Sequence, residues 1–98
     1  MVEYLYDAIR AVAGQPITVS SVITDDEEQV ITEGCCFILH DEYGENMLLD
    51  VDGVYNPDFL LWEFTIPAEA TAGLKGRYWY CIQHNSNNLC FKQPIYLV

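Results

Sequence analysis

Basic residues are the scarcest resource in this 98-residue chain: four Lys plus Arg stand against fifteen Asp plus Glu, a formal net charge of -11. A surface so short of cations repels phosphate backbones and anionic headgroups, which argues against nucleic-acid and membrane-surface partners. Long apolar runs are also missing, and nothing approaches the roughly 18 consecutive apolar residues that cross a bilayer. The opening MVEYLYDAIR places Glu3 and Asp7 where a secretory leader needs basic residues and then an apolar stretch, so no signal peptide is expected. A protein made and kept in a cytosol is the corresponding expectation for location.

Chemistry-bearing motifs are equally sparse. Phosphate-binding loops, dinucleotide fingerprints and nucleophile elbows do not occur. The four cysteines, Cys35, Cys36, Cys81 and Cys90, lack the knuckle spacing of a zinc site, and adjacent Cys35 and Cys36 point to opposite faces of a strand. DVDG at Asp50–Gly53 has two early carboxylates of a calcium loop without the closing Glu. His40 and His84 are the two histidines, and each flanks a turn where solvent exposure is expected. Cys36 and His40 share a strand face but lie four residues and so about 13 Å apart, while His84 has the wrong parity for Cys81. No catalytic residue, metal site or cofactor is assigned, and no enzyme activity is expected.

What the sequence does have is hydrophobic content, 51%, with 13% aromatics, enough for one modest core in a single domain spanning 1–98. Period-two alternation dominates. ITVSSVIT at Ile17–Thr24 is a β-branched strand, and the acidic DDEEQ that follows is a solvated loop. GCCFILHDEYGENMLLDVDG reads as two strands around a turn at Asp41–Asn46. A turn around Asn56, Pro57 and Asp58 leads into FLLWEFTI, whose Leu60, Trp62, Phe64 and Ile66 share one face. Residues 68–72 form a short helical turn, ended by Gly73 and Gly76. YLYDAIRAVA fits a helix with Leu5, Ile9 and Val12 on one face or an extended strand with Tyr4, Tyr6 and Ala8 alternating, and the absence of an N-cap box together with the paired tyrosines favours the strand. About seven short strands without helical crossovers predict an all-β, antiparallel sandwich.

The closing GRYWYCIQHNSNNLCFKQPIYLV reads as a hairpin with Tyr78, Tyr80 and Ile82 facing the core and Trp79 facing away. Pro94 predicts an edge strand or a bulge. A turn symmetric about Ser86 and Asn87 would set Gln83 opposite Cys90, leaving Cys81 diagonal to it and the two thiols unbridged. Trp79, with Arg77, Tyr96 and Val98, is the candidate interface.

Three stretches carry a family resemblance: AGQPITVSSVITDDEEQVI, CCFILHDEYGENML and LWEFTIPAEATAGLKGRYWYCIQ. Together they resemble the small immunoglobulin-like β-sandwich modules of tailed-bacteriophage and prophage structural proteins, over about Ala13 to Val98. The resemblance implies a virion structural protein acting by protein–protein assembly, as a homo-oligomer or with other virion proteins. Longer members of that family continue into an assembly or fibre domain, whereas this chain ends at Val98, implying a self-contained building block or decoration. A second class stays open, a carbohydrate-binding or adhesion sandwich in which Trp62, Trp79, Tyr55 and Tyr43 make an exposed stacking platform. A third is an immunity or inhibitor protein whose negative charge covers a basic partner.

Overall fold

In the computed structural model, residues 2–5, 8–89 and 92–98 are described. The strands are β1 (Val2–Leu5), β2 (Ala8–Ala11), β3 (Ile17–Ser21), β4 (Cys35–His40), β5 (Met47–Asp52), β6 (Val54–Asn56), β7 (Leu61–Ile66), β8 (Gly76–His84), β9 (Asn87–Asn88) and β10 (Gln93–Leu97). The helix α1 covers Ala68–Thr71, where the 68–72 turn is expected.

Two sheets form the sandwich. The larger runs β1-β2-β10-β8-β4-β5, with β9 continuing the β8 hairpin, and the smaller runs β3-β7-β6. Setting β1 and β9 aside, the chain threads its strands as an immunoglobulin variable-type domain does: β3-β7-β6 stands for B-E-D, and β10-β8-β4-β5 for G-F-C-C′. The parallel pairing of β2 with β10, Ile9 with Ile95 and Ala11 with Leu97, lengthens that second sheet. The fold is therefore an immunoglobulin-like, all-β sandwich.

Alternation explains the core. Ile17 and Val19 of β3, Phe64 and Ile66 of β7, Phe37 and Leu39 of β4, and Ile95 and Leu97 of β10 are all buried between the sheets. Phe37 sits at the centre, stacked on Tyr80 at 5.1 Å and tilted against Phe64 at 6.0 Å. The loop from β3 to β4 is fastened to this core, because buried Trp62 donates from Nε1 to the Ile31 carbonyl at 2.6 Å. The buried Thr71 hydroxyl accepts the Gly14 amide at 2.9 Å and anchors α1.

Several expectations are corrected. The first segment is two strands rather than one, since Val2 pairs with Ala11 and Leu5 with Ala8; Tyr6 lies outside the described residues. The 17–24 strand ends at Ser21, with Thr24 meeting Val30 in an isolated bridge. Val54–Asn56 is a strand, and the turn falls one step later, closing at Leu60 with a left-handed φ of 57°. The closing hairpin turns about Asn85 and Ser86, both at positive φ (50° and 69°), as a two-residue type I′ turn requires. Gln83 consequently faces Asn88 and not Cys90. The expectation of unbridged Cys81 and Cys90 falls on Cys90, outside the described residues. β10 is not an edge strand, as it lies between β2 and β8; the pairing frame instead shifts by two residues between Ile82–Leu89 and Tyr80–Gln93.

Candidate functional site

The outer face of the larger sheet gathers several of the residues that the sequence singles out. Parity sends Arg77, Trp79, Cys81 and Gln83 of β8 outward, while Tyr78, Tyr80 and Ile82 face the core. Register then sets their neighbours. Tyr96 lies beside Arg77 and Pro94 beside Trp79 on one flank. On the other, His40 lies beside Trp79, Ile38 beside Cys81 and Cys36 beside Gln83, with Asp50 and Asp52 one strand further out. Tyr96 also faces Arg10.

Trp79 is the keystone of this face, and it is half-buried rather than fully exposed. Its Nε1 donates to the Glu42 carbonyl at 3.1 Å, and its ring packs on Gly44, where even a Cβ would approach to 3.4 Å. The Arg77 guanidinium lies over the same ring at 5.1 Å. Lys92 bonds the Gly44 carbonyl from the far side. The Asp41–Asn46 turn is itself rigid: Asp41 Oδ1 accepts the amides of Tyr43 (3.1 Å) and Glu45 (3.0 Å), and Oδ2 accepts Asn46 Nδ2 (2.8 Å). These bonds, the Glu45 amide foremost, hold the Asp41 carboxyl below its ordinary range. Arg77, Tyr96 and Val98 are exposed, and register puts Arg77 and Tyr96 side by side next to the Trp79–Pro94 pair, with Val98 further along at the end of the last strand.

A pairing that parity within one strand misses lies beside them. His40 Nε2 is 3.6 Å from Cys81 Sγ, across the β4–β8 register. The two are 41 residues apart, and only the diagonal from His40 to Cys81 in the paired sheet reveals the contact. His40 is thus half-buried and not the exposed turn residue expected; His84 is half-buried as well, within 3.2 Å of Asn85 Nδ2. The geometry is poor for nucleophilic catalysis. Among the described residues the buried His40 Nδ1 has no partner, so none of them orients the ring through it. Burial, and then the charge of Lys92, lower the imidazole's proton affinity and make it a weak base. Cys36 is further from reactivity: burial together with Asp50 pushes its thiol up to about 11. Cys35 is raised by burial alone.

The sugar-stacking platform does not assemble. Trp62 is buried between the sheets with Tyr55 tilted against it at 5.6 Å, whereas Trp79 stands on the outer face of the other sheet. Among the described residues no group of three or more His, Cys, Asp and Glu is placed to hold a metal ion, and no helix is long and apolar enough to cross a membrane. Compared with protein-family models, curated proteins and solved structures, the chain matches none.

Proposed function

We propose that this chain is a structural module of the phage or prophage virion type, working without catalysis through protein–protein assembly. One observation carries the reading: the Arg77–Trp79–Pro94–Tyr96 surface is already built before any partner arrives. The indole is bonded to Glu42, seated on Gly44 and capped by Arg77, so little side-chain freedom remains to be lost on contact. Tryptophan, tyrosine and arginine are also the residues that most often dominate interface energetics. Virion or host cytoplasm is the matching location, with copies of the chain or other virion proteins as partners.

Light scattering coupled to size exclusion tests this. The expected result is a mass above the 11.2 kDa of one chain. Tyr96→Ala, at an exposed position, should lower that mass without changing the circular dichroism. A strictly monomeric protein across the accessible concentration range would count against assembly through its own copies.

A further inference from the structure

The cations of this molecule are clustered, with Asp41, Glu42 and Glu45 of the Trp79 turn beside them, and the clustering points to a partner. β8 is nine residues long, which separates its ends by about 26 Å at roughly 3.3 Å per residue. Three of the four basic residues of the chain, Arg10, Lys75 and Arg77, gather about its first end, and Lys92 lies nearer its middle. Lys75 and Arg77 flank Gly76, Arg10 faces Tyr96 in the row of Arg77, and Lys92 reaches Gly44 beside Trp79. At the other end, Asp25 and Asp26 line a shallow cleft with Ile82, His84 and Leu89.

That acidic loop is held in one shape. Asp25 Oδ1 accepts the amides of Glu27 (2.9 Å) and Gln29 (3.0 Å), Asp25 N donates to Gln29 O (2.9 Å), and the Thr24–Val30 bridge closes its base. Asp26, Glu27 and Glu28 remain exposed. A two-fold contact through the Arg77 face would, apart from the exposed Glu42 and Glu45 of the turn that holds Trp79, set cations against cations. A head-to-tail contact sets them against carboxylates.

We infer that copies of this chain associate head to tail, the Arg77–Trp79–Tyr96 face of one receiving the Asp26–Glu27–Glu28 loop of the next. The inference rests on the assembly reading and adds the partner and the polarity of contact. Arg77 is exposed and its guanidinium lies 5.1 Å from the Trp79 ring centroid, within reach of a two-point bond to an incoming carboxylate. A heterologous contact of this kind repeats, so mass rises with concentration toward a ring or filament. Salt acts in two directions. The net charge of -11 on each copy repels at low ionic strength, while the contact itself is screened at high. Association is therefore strongest at intermediate ionic strength; at about 0.15 M the screening length is about 8 Å, short enough to damp the overall repulsion while a direct contact persists.

The test is a charge swap read by sedimentation velocity at about 0.15 M salt. Arg77→Glu alone and Asp26→Lys/Glu27→Lys alone are each expected to sediment as folded monomers. Mixed in equal amounts they should associate again, because each supplies the charge that the other lacks. Arg77→Gln, which removes the charge and the guanidinium fork without reversing the sign, should raise the dissociation constant roughly tenfold. Either reversal variant retaining wild-type mass overturns the inference, as does a mixture of the two that stays monomeric. A wild-type multimer indifferent to both reversals sinks the head-to-tail contact alone, whereas a monomeric wild type sinks the assembly reading with it.

Discussion

Gly53 marks the point where the chain leaves the larger sheet for the smaller, and Gly53→Ala is a sharp probe of that crossing. An added Cβ would lie 2.5 Å from Phe64 Cε1, 2.6 Å from Trp62 Cε3 and 2.9 Å from Phe64 Cδ1. Ordinary carbon contacts are about 3.5–4.0 Å, so roughly 1 Å must open against two rings at once. Neither side yields easily: Phe64 and Trp62 are 0% and 3% exposed, and the Gly53 amide is bonded to the Cys35 carbonyl at 3.0 Å. Overpacking of this kind costs about 1–3 kcal/mol, and two buried aromatics place it near the top of that range. Alanine also restricts the unfolded chain, which returns about 0.4–1 kcal/mol. The net expectation is about 2 kcal/mol of destabilisation, a drop of roughly 8–16 °C in Tm for a domain of this size. Differential scanning calorimetry reads it, and Gly73→Ala is the control, because Gly73 has φ +82° with nothing within 4 Å of its would-be Cβ. Shrinking the opposing ring with Phe64→Leu should rescue Gly53→Ala and leave the Gly73→Ala penalty untouched. A Gly53→Ala protein melting with the wild type, or strict additivity with Phe64→Leu, would refute the close approach.

Trp62→Phe keeps most of the ring but strands the buried Ile31 carbonyl; about 1–3 kcal/mol should be lost in urea titrations, with faster proteolysis in the loop it anchors. With its pKa at about 11 against an ordinary 9.0, Cys36 carries roughly a hundredfold less thiolate than a normal cysteine near pH 8. It should react correspondingly slowly with a disulfide reagent, and faster in Asp50→Asn. His40 binds its proton less readily in the folded state than its ordinary 6.5, so the unfolded chain takes up the proton first as pH falls. Stability should be intact above about pH 6.5 and decline below it in denaturant midpoints, and His40→Asn should flatten that decline.

Much of the sandwich was legible because its strands alternate cleanly. Ile17 and Val19, Trp62, Phe64 and Ile66, and Tyr78, Tyr80 and Ile82 each announce a buried face. The turns at Asp41–Asn46 and 68–72 carry their own residue chemistry. Where the reading slipped, local pattern was silent. The reversal after Leu5 has no glycine or proline to mark it, and β6 is only three residues long. At the closing hairpin, four consecutive polar residues, Asn85 to Asn88, allow several turn positions, so only the observed left-handed pair at Asn85 and Ser86 fixes the register.

Register is also why the outer face could be named but not assembled from sequence. Parity places Trp79 outward, opposite the Tyr78 face; what it cannot give is which strand lies beside which. Once β10 and β4 flank β8, Pro94 and His40 become the neighbours of Trp79, and Cys81 comes within 3.6 Å of a histidine on another strand. The same ordering converts composition into direction. A chain with fifteen acidic and four basic residues reads as uniformly negative, yet three of its four cations are gathered at one end of β8, where Arg77 stacks on an aromatic ring. Bulk charge governs long-range repulsion and hence which partners stay away. The placement of four cations governs which surface a carboxylate-rich partner can approach. For this molecule the second property, invisible to a net-charge count, is the one that distinguishes a head-to-tail contact from a symmetric one.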